Sequence, residues 1–398
     1  MRLRIGIFLL VVVAGVATWS YLRPIPAVAA TGAPPASQVV GGTPPAMPWP
    51  SRGSGAVGVR NLGFIATSGN EQPTPAASVT KVMTALVVLE DKPLVKGDQG
   101  PTITLTDADV QAYEADLADK QSVQVVRAGE QLTELQALQG MLIPSANNFA
   151  ETLARWDAGS IDAFVAKMNA RAAALHLTHT KFADTSGANA ASVSTPSDLI
   201  SLGMTAMKQE VFAQVVGMGQ ALLPVAGIVY NVDGVLGQSG IIGIKTGSGL
   251  NAGANFLFAA TITVDGIPIT VFGCVMGLST LADTFASAKT LIGTMQSTLH
   301  VRLVIARNQT IATYVTPWGA QSDLISTVDV NLVEWPGMVL RQRLDARTIV
   351  VDQPLAAGKG VGSEHVVLGD YNLDVPLVTA NSLYPPGRLW RLTRISGL

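Results

Sequence analysis

Three short strings in this sequence hold the parts of a serine-nucleophile site. Ser78 and Lys81 stand three residues apart in SVTK, Ser145 and Asn147 flank Ala146 in SAN, and Lys245, Thr246 and Gly247 form KTG. A serine hydroxyl at neutral pH is a poor nucleophile and needs an adjacent base. Positions i and i+3 of a helix share a face, so Lys81 is expected to hold its amine beside the Ser78 hydroxyl. Burial and neighbouring cations lower a lysine pKa, and a neutral amine can take the Ser78 proton. At a helix start, Ser78 also presents its own N–H to a developing oxyanion. Ser145 offers a hydroxyl to relay a proton to a leaving amine, and Asn147 an amide to fix a substrate backbone. Lys245 and Thr246 offer a cation and a hydroxyl to a terminal carboxylate, while Gly247 permits close approach of a substrate backbone. Each string alone has a plain reading: a solvated helix lysine, an inter-helix cap, a turn. Their order and local setting make the combination specific.

The elements that must position these strings are legible from periodicity. AVGVRNLGFIAT reads as strand, turn, strand. Val79 to Glu90 carries apolar residues at helical spacing, placing SVTK at a helix start. Leu132, Leu135, Leu138 and Leu142 form one helical stripe, Pro144 interrupts, and a second helix runs through Asn148–Trp156, so SAN sits on the connection. A helix over Ile161–Leu175 follows. Another begins at Thr195, where TPSD supplies an N-cap, a proline at the first position and an acid in the first turn. GIKTG leads into a β-rich run, then Asp265-Gly266, then a second β-rich run, which predicts a hairpin. A helix is expected over Leu281–Leu299. From residue 300 onward short β-like runs broken by turns predict a separate small β domain. The last residues, RLWRLTRISGL, read better as a closing strand than as an amphipathic membrane helix.

The amino terminus determines on which side of a membrane this body works. Arg2 and Arg4 precede an uncharged stretch from Ile5 to Leu22 closed by Arg23. That is an export signal, just long enough to span a bilayer, with Trp19 and Tyr21 placed as interface anchors. Ala27–Ala29 offers a cleavage site, so residues 1–23 are a signal peptide or a retained anchor, with the rest of the chain extracytoplasmic either way. Residues 24–52, rich in Pro, Ala, Gly and Ser, read as a flexible tether. Residues 53–299 then form the catalytic domain and 300–398 the β-rich domain. The 398 residues carry net charge −2, which gives no basic excess for nucleic acid. A single cysteine, Cys274, precludes an internal disulfide and reads as a buried thiol. The four histidines fall in no zinc-binding arrangement, so no metal and no cofactor are expected.

S-x-x-K, S-x-N and K-T-G in this order are the signature of β-lactamases and penicillin-binding proteins. Beyond the strings, PTPAASVTKVMTALVVLE, LTHTKFADTSG and GIKTGSGLNAG make residues 54–300 resemble the low-molecular-mass penicillin-binding proteins, the serine-type D-Ala-D-Ala carboxypeptidases. The β-rich tail resembles that family's C-terminal domain. The resemblance implies an α+β fold, a β-lactamase/transpeptidase-like domain with an antiparallel sheet flanked by helices plus an all-helical part, followed by a small all-β domain. It implies removal of the terminal D-Ala from a peptidoglycan pentapeptide ending in D-Ala-D-Ala, through an acyl-enzyme on Ser78, with covalent trapping by β-lactams. It places Lys81 and Ser145 with Ser78 as catalytic groups. Asn147, Lys245, Thr246, Gly247 and Ser248 become substrate-binding groups, with the N–H groups of Ser78 and Ser248 as oxyanion hole. There are two departures. SAN stands where the family most often has SGN, and Ser248 stands where an aromatic residue or histidine is usual, which bears on substrate preference.

Other functions are weighed against particular residues. A class A β-lactamase needs a glutamate after the second string to activate deacylating water, and Thr152 to Gln209 contain none. A D,D-endopeptidase acting on crosslinks uses the same groups. A non-catalytic wall-binding protein would have no use for a complete set of reacting groups.

Overall fold

The computed structural model of the protein describes residues 2–69 and 71–394. The chain divides into two units, Thr43–His300 and a second built from Met1–Gly42 with Val301–Leu398.

The larger unit is α+β. Its antiparallel sheet runs in the order Ile241–Gly249, Gly253–Val264, Ile267–Leu278, Ser54–Val59 and Gly63–Thr67, with the KTG strand at an edge. The hairpin turns at Asp265-Gly266, both at positive φ (49° and 81°), as a two-residue type I′ turn requires. Successive residues of a strand point to opposite faces. Phe256 stacks edge-on against Phe285 of the helix Leu281–Thr298, whereas Leu257 lies against Gly203 of the helix Pro196–Ala206. The two helices therefore cover opposite faces, and the middle strands are buried on both sides rather than alternating.

Local signals fix the helix starts. Thr195 accepts a hydrogen bond from the N–H of Asp198, with Pro196 at the first helical position. Thr133 with Gln136, and Thr280 with Asp283, form capping boxes. The helix Lys81–Asp91 is buried from Lys81 to Leu89, so it is surrounded by neighbours instead of presenting one polar face. Glu134–Leu142, Asn147–Ala158 and Ile161–Ala174 join it in one hydrophobic core. Cys274 is part of the same core.

The smaller unit holds a seven-stranded sheet with the order Ala30–Thr31, Thr310–Val315, Gln321–Ser326, Tyr371–Thr379, Gly360–Leu368, Val339–Ala346 and Ser37–Val39. Both edge strands come from the stretch expected to be a tether. Ala30 pairs with Tyr314 and Val39 with Val339, and Val28 exchanges backbone hydrogen bonds with Ile349 at 2.8 and 3.0 Å. Strands of two and three residues are too short to show an apolar alternation; they are held mainly by backbone pairing, and proline is tolerated beside them.

The carboxy-terminal segment departs from expectation in the same way. Arg388–Thr393 is a helix, not a strand, while residues 395–398 lie outside the described residues. The helix packs on the apolar amino-terminal helix Arg2–Leu22: Ser20 donates to the carbonyl of Arg391 at 2.9 Å, and Arg394 donates to the carbonyls of Ser20 and Pro24, each at 3.0 Å.

Candidate active site

Ser78 sits in a 3-10 turn, Ala77–Thr80, which runs directly into the helix Lys81–Asp91. In a 3-10 turn side chains at i and i+3 eclipse, and the amine of Lys81 donates to Ser78 Oγ at 2.8 Å. The same amine donates to Asn147 Oδ1 at 2.5 Å and to the carbonyl of Ser186 at 3.2 Å. Lys81 is fully buried (0 % exposed). Burial, reinforced by the nearby Lys245 charge and opposed by Asp184 and Asp116, pushes its amine well below the usual lysine range. Such an amine is set up to accept a proton from the serine beside it.

Asn147 opens the helix Asn147–Ala158, directly after Ser145 and Ala146. Its backbone N–H donates to the carbonyl of Ser122 at 2.7 Å, and its side-chain amide to Gln121 Oε1 at 2.5 Å, so the oxygen is left facing Lys81. Ser145 is buried with φ 66°, a left-handed conformation uncommon outside glycine. Its hydroxyl forms no direct hydrogen bond to Ser78 or Lys81 among the described residues. Ser145 lies two residues before Asn147, whose side-chain oxygen meets the Lys81 amine.

Lys245, Thr246 and Gly247 lie on the edge strand, paired with Leu257, Phe256 and Asn255. Lys245 and Thr246 are buried and Ser248 is exposed. The Lys245 amine donates to the carbonyl of Thr246 at 3.1 Å. Burial pulls its pKa down to about 7, with Asp233 acting in the opposite direction. A β-carbon on Gly247 would lie 3.0 Å from the carbonyl oxygen of Ala76 and 3.1 Å from the nitrogen of Ser78. The KTG strand thus runs against the turn that holds Ser78.

Several groups that hold this arrangement together are absent from the three strings. Asn255 donates to the carbonyls of Pro75 and Ala76 at 3.0 and 3.1 Å and accepts from Gly277 N–H at 2.9 Å, riveting the sheet to the Ser78 turn. Asp184 accepts from Ser186 Oγ and from the N–H groups of Ala188 and Asn189, which shapes the loop that carries the Ser186 carbonyl. In that loop Gly187 has φ 83°, and a β-carbon there would meet the carbonyl oxygen of Ala77 at 1.8 Å. The sequence signal for this loop was the FADTSG stretch. Gln121 and Asn255 gave none.

A sequence model of the family described as D-alanyl-D-alanine carboxypeptidase matches residues 60–279. A D-alanyl-D-alanine carboxypeptidase of Mycobacterium tuberculosis is 36% identical over 193 residues, spanning 47% of this chain and 62% of the relative. Among solved structures, the Streptomyces K15 DD-transpeptidase superposes with a TM-score of 0.55 at 28% identity, covering 63% of this chain and 98% of that one. A D-alanyl-D-alanine carboxypeptidase from Francisella tularensis, 18% identical, covers 86% of this chain and 96% of its own with a TM-score of 0.61, a likeness of fold.

Proposed function

The chain belongs to the D-alanyl-D-alanine carboxypeptidase family, and from that membership we propose that it is a serine D,D-carboxypeptidase acting on peptidoglycan stem peptides. The observation that carries this reading is the 2.8 Å contact between a buried, pKa-depressed Lys81 amine and Ser78 Oγ.

Neutral Lys81 takes the proton of Ser78 as the hydroxyl oxygen attacks the carbonyl carbon of the penultimate D-Ala. The backbone N–H groups of Ser78 and Ser248 receive the developing oxyanion. The peptide C–N bond breaks as the leaving D-Ala nitrogen gains a proton, relayed by the Ser145 hydroxyl from the Lys81 ammonium. An ester on Ser78 remains. Water then attacks that ester, Ser78 recovers its proton, and the shortened peptide departs. Asn147 binds the substrate backbone. Lys245 and Thr246 bind its terminal carboxylate, and Gly247 allows the strand to approach. A β-lactam enters by the same attack, but its leaving nitrogen stays tethered in the opened ring, so the ester persists. The set needs no metal or cofactor.

The reaction takes place outside the cytoplasm, with the apolar helix retained as a membrane anchor. Arg4–Leu22 is long and apolar enough to span a bilayer. The Ala27–Ala29 stretch that would have to be cut contains Val28, buried and hydrogen-bonded to Ile349.

Mass spectrometry after incubation with a penicillin tests the reading. A covalent adduct on the Ser78 peptide, absent in Ser78→Ala, is expected together with release of D-Ala from a D-Ala-D-Ala peptide. An unmodified Ser78 would refute it.

A further inference from the structure

Gln121 belongs to none of the three strings. It stands three residues beyond the helix Asp107–Ala118, just after Lys120 turns the chain at φ 57°. The segment it opens is stitched to the start of the helix Asn147–Ala158 by other groups. The N–H of Asn147 donates to the carbonyl of Ser122 at 2.7 Å. The N–H of Gln124 donates to Asn148 Oδ1 at 3.2 Å, and Asn148 Nδ2 donates back to the carbonyl of Gln124 at 2.9 Å. The N–H of Gln121 itself donates to the carbonyl of Asp116 at 2.9 Å. The loop is therefore held without the Gln121 side chain, whose oxygen accepts from Asn147 Nδ2 at 2.5 Å.

That bond acts on the other end of the Asn147 amide. The Lys81 amine meets three oxygens: Asn147 Oδ1 at 2.5 Å, Ser78 Oγ at 2.8 Å and the Ser186 carbonyl at 3.2 Å. A neutral amine has two N–H groups and one lone pair. The Asn147 and Ser186 oxygens carry no hydrogen, so each takes an N–H. The lone pair falls to the one partner of the three with a hydrogen to give, the Ser78 hydroxyl. An Asn147 amide turned over would present its NH2 to Lys81 and compete for that lone pair.

We propose that Gln121 is a positioning residue: its side-chain oxygen holds the Asn147 amide with the oxygen toward Lys81, so that the Lys81 lone pair is left to Ser78. This rests on the reading of Lys81 as the base. A charged Lys81 demands an oxygen opposite it and holds the amide by itself, whereas a neutral Lys81 leaves the amide to Gln121. The charges acting on Lys81 come from Lys245 of the KTG strand, Asp184 of the loop that carries Ser186, and Asp116 of the helix Asp107–Ala118. Asp119 and Lys120, beside Gln121, are exposed.

The test is single-turnover acylation of the full chain by benzylpenicillin across pH. Gln121→Leu fills the same space and accepts nothing. Its rate should fall about tenfold on the alkaline side, the worth of one hydrogen bond, and should converge on the unsubstituted rate at the acid foot, where charged Lys81 orients Asn147 unaided. A loss of packing alone would slow acylation by one factor at every pH. Gln121→Glu keeps an acceptor and should recover the alkaline rate, with its acid limb moved to higher pH because the added carboxylate favours the Lys81 ammonium. If the unsubstituted chain forms no adduct, the activity reading and this inference fall together. Acylation of Gln121→Leu at the native rate, or slowed equally at all pH, overturns this inference alone. Should Gln121→Leu not fold, Gln121→Glu decides: an acid limb that stays in place, or a rate lost at every pH, overturns it.

Discussion

The β-carbon that Gly247 lacks would stand 3.1 Å from the amide nitrogen of Ser78. Two strings remote in sequence thus meet backbone to backbone, where the proposed oxyanion would form. Gly247→Ala should push the strand off the turn by a few tenths of an ångström. A rise in the barrier equivalent to about 10²-fold slower penicillin acylation is expected, with the melting temperature little changed. Stopped-flow acylation beside a thermal melt checks this, and a native acylation rate would remove the strand from the oxyanion site.

Lys81→Ala should slow acylation by about 10²–10⁴-fold, the usual range for a lost general base. Lys81→Arg should not rescue it, because a guanidinium stays protonated. Single-turnover acylation measures both, and an active Lys81→Arg would place the base elsewhere.

The two buried lysines should give kcat/KM a bell-shaped pH profile. The proposed base must be neutral, so activity falls as pH drops through the depressed pKa of Lys81. The proposed carboxylate-binding cation must be charged, so activity also falls as pH rises through the Lys245 value of about 7. A profile flat through neutrality would contradict the second assignment.

Asn255→Ala removes the rivet between the sheet and the Ser78 turn: the Pro75 carbonyl loses its bond to this amide, and the Ala76 carbonyl keeps only the N–H of Val79 at 3.3 Å. A loss of about 2–3 kcal/mol in unfolding free energy is expected, accompanied by slower acylation. Urea denaturation gives the first quantity. A loss of stability with unchanged acylation would show that the turn keeps its shape without this amide.

Glu134 is 0 % exposed, neither of its carboxylate oxygens has a partner among the described residues, and burial lifts its pKa from 4.5 to about 7. Between those values the unfolded chain has released the proton and the folded one keeps it, so stability falls as pH rises through this window. Glu134→Gln should flatten that slope and stabilise the protein above neutrality, by on the order of 2 kcal/mol. Glu364 repeats the arrangement in the smaller unit. Thermal melts at acid and alkaline pH decide the matter, and an equal effect at both would argue against titration.

What was legible in the sequence is what local rules govern. Ser78 and Lys81 are three residues apart, so one turn of chain joins them, and Thr195 with Pro196 announces its helix through its own cap. The Asp265-Gly266 hairpin likewise follows from two residues. Gln121 and Asn255 were illegible because each acts on a partner far along the chain, Asn147 and the Pro75–Ala76 carbonyls, and a polar amide shows no periodicity before the fold exists. The 28–39 stretch was misread as a tether because its edge pairing rests mainly on the backbone, in strands of two and three residues that carry no periodic signal. The carboxy-terminal helix was read as a strand because its six residues owe their helical state to packing on the amino-terminal helix.

The strands at 30–31 and 37–39 also set an order of assembly. The larger unit is continuous, Thr43–His300, and can complete itself from its own residues. The seven-stranded sheet takes its two borders from the first forty residues and its interior from 310 onward. Its closure therefore requires the strand ending at Thr379, which is synthesised after the whole of the intervening unit. A chain cut short after residue 300 would retain every proposed reacting group, yet leave the strands at 30–31 and 37–39 with nothing to pair against.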